Sequence, residues 1–224
     1  MYNIFLDFDG TLADSSEGIY KSFVSACNEL SLTPPTYQDF IFYIGPPIKI
    51  IAKKLFPNID DLMLDRFVTN FRSTYDNENY RYLSWYKNVK TDLKLLNNFN
   101  DLSFSIVTNK PTEPTLALLK SANIDQYFNY VIGIDYLKFV NNGEIFKSKY
   151  EAINYLIKLK TLDINNVFYV GDTANDKKCA LKSGIRFIAA KYGFYKWDLN
   201  ITNNLSIDNF ESLIPLLNQL CGIV

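Results

Sequence analysis

The sequence predicts an α/β protein: a doubly wound, mainly parallel, Rossmann-like sheet with a helical insert after the first strand, either a separate small domain or a lid. Three observations predict it. Short uninterrupted apolar runs recur along the chain without the alternation of a half-exposed strand, as strands covered by helices on both faces do. Stretches with apolar residues at helical spacing lie between most of these runs, which implies right-handed strand–helix–strand crossovers. Between the first run and the second, residues 15–81 show helical patterning only.

The first strand is Ile4-Phe5-Leu6. In the insert, Ile19, Phe23, Ala26 and Leu30 mark one helix, and Leu64, Phe67, Val68, Phe71 and Tyr75 another. Thr33-Pro34-Pro35 and Gly45-Pro46-Pro47 punctuate shorter helices between them. The sheet resumes at Phe104-Ser105-Ile106-Val107, and a helix opening at Thr112 tolerates Pro114 in its first turn. Tyr130 to Ile134 form a third strand. Ser148-x-x-Glu151 then reads as a capping box for a helix bearing Ile153, Leu156 and Ile157. Val167 to Val170 are the fourth strand, Asn175 to Ser183 a helix stopped by Gly184, and Phe187 to Ala190 the fifth strand. This organisation gives an α/β core of residues 1–14 and 82–224 and a helical insert of residues 15–81. The Asn-rich segments at Asn97–Asn100 and Asn200–Asn204 read as surface turns.

Composition narrows the chemistry. The 23 basic residues balance 24 acidic ones, so no bulk attraction to nucleic acid or to an anionic membrane is expected. There is no histidine, which excludes Ser-His-Asp and Cys-His nucleophiles, His-ligated zinc and imidazole acid–base catalysis. Cys27, Cys179 and Cys221 are widely spaced and odd in number, which fits a reducing compartment better than a disulfide framework. The start Met1-Tyr2-Asn3-Ile4-Phe5-Leu6-Asp7 turns acidic too soon for a signal peptide, and no apolar run is long enough to span a membrane. A cytoplasmic protein, monomeric or homodimeric, is the expectation.

Four segments carry candidate chemistry, each expected at the carboxyl end of a strand, where open α/β sheets bind ligands. Asp7-Phe8-Asp9-Gly10-Thr11-Leu12 places two carboxylates just past the first strand, with Gly10 permitting a sharp turn. Thr108-Asn109-Lys110 offers a hydroxyl and backbone N–H groups to an anionic oxygen. Lys149, or its competitor Lys147, lies at a helix start, where a cation is disfavoured unless it faces an anion. Gly171-Asp172-Thr173-Ala174-Asn175-Asp176 adds two more carboxylates. Clustered carboxylates are costly unless a cation or protons neutralise them, and an all-oxygen donor set suits Mg²⁺.

In these residues the chain resembles the haloacid dehalogenase superfamily, specifically its phosphoglycolate phosphatase-like branch with a helical C1-type cap. Asp7 to Leu12 match the family's Asp-x-Asp-Gly-Thr-Leu, Thr108 its second motif, and Gly171 to Asp176 its Gly-Asp-x-x-x-Asp. Gly45-Pro46-Pro47 resembles a cap loop of that branch. Where the branch often shows Lys-Pro-x-Pro, this chain has Lys147-Ser148-Lys149-Tyr150, and the spacing from Lys149 to Asp172 favours Lys149. The resemblance implies a Mg²⁺-dependent phosphatase acting on a small phosphorylated metabolite. Asp7 would be the nucleophile and Asp9 the acid and base. Thr108, Asn109 and Lys149 would bind the phosphoryl group. The Asp7 carboxylate, the Asp9 backbone carbonyl and Asp172 would bind the metal, supported by Asp176.

Two other readings share much of this machinery. Phosphoglucomutase-type relatives return the phosphoryl group to a sugar instead of to water. A receiver-like phospho-switch would hold an aspartyl-phosphate without turning it over, although the insert and Asp9 count against it; a silent binding fold ranks last. Tyr37, Tyr43, Lys49, Lys53 and Lys54 lie near the Gly45-Pro46-Pro47 loop and are candidates for meeting the substrate's non-reacting end.

Overall fold

The computed structural model describes residues 1–141, 143–197 and 205–222, so the expected turn at Asn200–Asn204 lies outside the described residues. The chain divides into two compact units, one of Met1–Ala13 with Trp85–Val224 and one of Asp14–Ser84.

The first unit is an α/β sheet. Its strands are β1 (Tyr2–Leu6), β4 (Leu102–Val107), β5 (Tyr130–Ile132), β6 (Val167–Gly171), β7 (Arg186–Ala190) and β8 (Ser206–Ile207). Their order is β5-β4-β1-β6-β7-β8, and every pairing is parallel. The helices are α5 (Val89–Leu96), α6 (Thr112–Ser121), α7 (Tyr136–Asn141), α8 (Lys149–Lys160), α9 (Ala174–Lys182) and α10 (Leu213–Cys221). β2 (Ala13–Asp14) and β3 (Ser84–Trp85) form a separate two-stranded sheet.

The order explains why three of the expected loops meet. β1 is central, and the chain leaves it to build β4 and β5 on one side and β6 to β8 on the other. Leu6 stands opposite Ile106 on one neighbour and Val170 on the other. Asp7, Thr108 and Asp172 therefore leave the sheet within a residue of the same level, at the point where the strand order reverses. Beneath them, Phe5, Val107, Ile153, Leu156, Val167 and Tyr169 belong to one buried apolar cluster.

Each of the five apolar runs falls on a strand, with one end corrected. The third strand stops at Ile132, two residues short of Ile134. A Cβ on Gly133 would stand 2.4 Å from the Thr112 nitrogen and 2.6 Å from the Lys110 carbonyl oxygen. The chain leaves the sheet there to pass against the loop after β4, and Asp135 accepts from the Thr112 N–H at 2.7 Å.

The second unit holds α1 (Ser16–Glu29), α2 (Tyr37–Phe40), α3 (Ile48–Leu55) and α4 (Asp61–Tyr75). Phe23 of α1 meets Phe40 at 4.5 Å and Phe67 at 5.0 Å between ring centroids, so these rings form part of the core of this unit. Lys49 and Lys53 are exposed and reach Asp65 and Asp61 at 2.8 and 3.6 Å, while Lys54 lies over the Tyr43 ring. The Tyr37 hydroxyl shares a 2.6 Å hydrogen bond with Ser16. No described helix is long and apolar enough to cross a membrane.

Candidate active site

The turn after β1 folds back on itself. The N–H groups of Leu12 and Ala13 donate to the Phe8 carbonyl oxygen at 2.9 and 3.2 Å, and Gly10 takes φ +78°, a conformation that suits glycine. The carboxylates of Asp7 and Asp9 meet different lysines. Asp7 is buried, and its Oδ1 accepts from the Phe8 N–H at 2.8 Å. Its Oδ2 accepts from Lys149 Nζ at 2.6 Å. Asp9 is partly exposed, and its Oδ1 lies 3.2 Å from Lys110 Nζ.

Lys149 opens α8. Ser148 caps the helix through the Glu151 N–H, but the expected box is incomplete, because the Glu151 carboxylate accepts from the N–H of Lys147 instead of from Ser148. A short helix, α7, also separates β5 from this segment, so Lys149 does not sit at a strand end as expected. Its ammonium is buried and donates to both Asp7 and Asp176. These two carboxylates offset the cost of a cation at a helix N-terminus. Burial alone lowers the Lys149 pKa, yet the charges of Asp176 and Asp7 carry it above the ordinary lysine value. Lys147 is exposed.

Thr108 follows β4 and is buried; its N–H donates to the Ile132 carbonyl, and its hydrogen bond to Asp7 favours the ionised carboxylate. Asn109 follows in the same turn, half-buried. After β6, Asp172 is fully buried; its Oδ2 accepts from the Phe194 N–H at 2.8 Å, and its Oδ1 has no hydrogen-bond partner. Asp176 closes a complete capping box at the start of α9, accepting from the Thr173 N–H at 2.9 Å and the Thr173 hydroxyl at 2.6 Å.

Carboxylate oxygens of Asp7, Asp172 and Asp176 lie within 4.8 Å of one another. Burial, opposed by Lys149 and reinforced by Asp176, pushes the Asp7 pKa up to about 6. Burial and the charges of Asp176 and Asp7 raise Asp172 well above the usual carboxylate range. Three buried carboxylates against one ammonium leave uncompensated negative charge, and the unpartnered oxygen of Asp172 is a ready ligand atom. The residues therefore fit a hard divalent cation bound through oxygen. Asp176, already engaged by Thr173 and Lys149, is better placed to position its neighbours. The Asp9 carboxylate lies outside the trio, on Lys110.

Residues that sequence reasoning missed complete the site. Lys110, the last residue of the Thr108-Asn109-Lys110 segment, reaches Asp9, which its place in the sequence does not signal. The loop after β7 also escaped notice: a Cβ on Gly193 would stand 2.2 Å from the Asp172 Cβ, and the Tyr192 hydroxyl donates to the Thr11 carbonyl at 2.8 Å. The rule that placed the other loops, the carboxyl end of a parallel strand, points to this one too.

A doubly wound parallel sheet thus gathers three buried carboxylates and a lysine at its switch point. The chain belongs to the haloacid dehalogenase-like hydrolases, whose family model matches residues 4–190. It is 25% identical to phosphoglycolate phosphatase 1 of Pseudomonas aeruginosa, over 99% of this chain and 81% of that protein. It is 26% identical to a phosphoglycolate phosphatase of Aquifex aeolicus, over 96% of both. The crystal structure of a predicted phosphatase from Clostridium acetobutylicum superposes with a TM-score of 0.86 over 98% of this chain and 99% of that one, at 22% identity.

Proposed function

We propose that this enzyme is a Mg²⁺-dependent phosphatase that hydrolyses a small phosphate monoester through an aspartyl-phosphate on Asp7. The observation that carries the reading is the buried group of Asp7, Asp172, Asp176 and Lys149, with Asp9 held apart from it. The phosphoglycolate phosphatases among its relatives support a small, acidic ester as substrate.

Asp7 and Asp172, with the Asp9 backbone carbonyl, would hold the metal, which supplies positive charge to the phosphoryl oxygens and relieves their repulsion of the attacking carboxylate. The Asp7 carboxylate attacks phosphorus as the ester P–O bond breaks, and Asp9 gives its proton to the departing oxygen. Asp9 then takes a proton from water as that water attacks phosphorus, breaking the bond to Asp7 and releasing inorganic phosphate. Thr108, Asn109 and Lys149 hold the equatorial oxygens, where transition-state charge spreads. The helical insert acts as the cap that selects the ester, and the site lies in the cytoplasm.

The test is phosphate release from a panel of small monoesters, with and without Mg²⁺, beside Asp7→Asn. Turnover that needs both the metal and Asp7 is expected; parent-level turnover by Asp7→Asn refutes the nucleophile assignment.

A further inference from the structure

We propose that Lys110 is a positioning residue that aims the Asp9 carboxylate for proton transfer to the leaving group. The inference rests on the reading of Asp9 as the acid. The side chain of Lys110 has no exposure, whereas that of Asp9 keeps 21%. Its Nζ stands 3.2 Å from Asp9 Oδ1, and an ammonium donating to that oxygen leaves Oδ2 to carry the proton that the departing oxygen takes.

The lysine is tethered at its base. Its N–H donates to Thr108 Oγ1 at 3.2 Å, Pro111 follows it, and Thr112 is pinned to Asp135 through both its N–H and its hydroxyl. The Phe8 ring lies 5.4 Å from Nζ and is itself buried against Trp85. The ammonium thus has the Phe8 ring and the Asp9 carboxylate beside it. The two lysines of the site divide their work: Lys149 binds Asp7 and Asp176, and Lys110 binds Asp9. A carboxylate on a short, partly exposed side chain samples several rotamers unless something holds it. Lys110 supplies that hold.

The consequence is specific to the leaving group. An alkoxide must be protonated as it departs, whereas p-nitrophenolate leaves without a proton. The readout is kcat/KM, which covers only the steps up to departure of the leaving group. It is measured for p-nitrophenyl phosphate and for the alkyl monoester turned over fastest in the phosphate-release panel. In Lys110→Met the aryl-to-alkyl ratio should rise about tenfold or more, since a well-placed general acid contributes roughly 10²–10⁴. Asp9→Asn should shift it the same way, and Lys110→Arg, which keeps the cation, should bring it back toward the parent's value.

If Asp9→Asn raises the ratio and Lys110→Met lowers both esters equally, the positioning role is overturned while the acid assignment stands. If neither variant moves the ratio, the acid assignment fails and takes the positioning role with it. Should Lys110→Met not fold, Lys110→Gln is read the same way. A ratio at the parent's value in that variant, beside a raised one in Asp9→Asn, overturns the proposal.

Discussion

Asp172 shows how the site trades stability for function. It is buried, one of its oxygens has no partner, and its neighbours Asp176 and Asp7 are also acidic. Replacing it with Asn keeps the shape and removes the charge. In metal-free protein, Asp172→Asn should therefore melt higher than the parent at pH 8, by several degrees, since each kcal/mol is worth about 2–4 °C at this size. The gain should shrink toward pH 5, where protonation relieves the parent too. The same variant should lose most of its Mg²⁺-induced rise in melting temperature; an undiminished rise would remove Asp172 from the ligand set. At this scale much of the site was legible, because Asp7, Asp9, Thr108, Asp172 and Asp176 each follow a strand within a few residues. Lys147 and Lys149 stand two residues apart, so spacing alone says little between them; Lys149 is buried and Lys147 is exposed. Lys110 went unassigned because adjacency to Thr108 says nothing about which carboxylate a long side chain reaches.

Two elements do more than the pattern of apolar residues implies. The segment after β6 reads as a row of candidate ligands, yet Thr173 and Asp176 also form the capping box that starts α9. One carboxylate thus accepts from the Thr173 N–H and hydroxyl and holds Lys149, while the Thr173 hydroxyl accepts from the Asp176 N–H. Thr173→Ala should cost about 1 kcal/mol of stability by loss of the cap alone, whereas Thr173→Ser should stay near the parent in thermal melting. The loop after β7 is tighter still. A Cβ at Gly193 would lie 2.4 Å from the Gly10 carbonyl oxygen as well as against Asp172, so Gly193→Ala must displace backbone. That moves the Phe194 N–H off Asp172. Gly193→Ala is expected to weaken Mg²⁺ binding tenfold or more by calorimetric titration; parent-level affinity would show that the loop does not shape the site. The main strands were legible because both faces of each are covered, which makes them continuously apolar. β8, β2 and β3 are two residues each, too short to carry any period, and β5 ends where Gly133 must pass the Lys110–Thr112 backbone.

Over the whole molecule, a cation on the trio would compete with protons for the same carboxylates, and the sign of that competition follows from Asp7. Burial raises its pKa from the ordinary 3.8 to about 6. Between those values the folded protein holds a proton that the unfolded chain has lost, so this group's contribution to stability falls as pH rises from about 4 to about 6. Above that range the loss is complete, and a shift of this size corresponds to about 3 kcal/mol. Asp172, also raised, acts in the same direction. A divalent cation held by these carboxylates would bind the ionised form and reverse the loss, as metal ligands must be deprotonated to bind. The difference in melting temperature between Mg²⁺-saturated and EDTA-treated protein should therefore be small near pH 5, grow through pH 6 and level off toward pH 8. Subtracting the two curves removes the acid sensitivity of every carboxylate that does not bind metal. Asp7→Asn should flatten much of the remaining dependence, since it deletes one titrating ligand. A Mg²⁺ effect equal at pH 5 and pH 8 would mean that the trio is already neutralised within the fold, and the case for a metal there would fall with it.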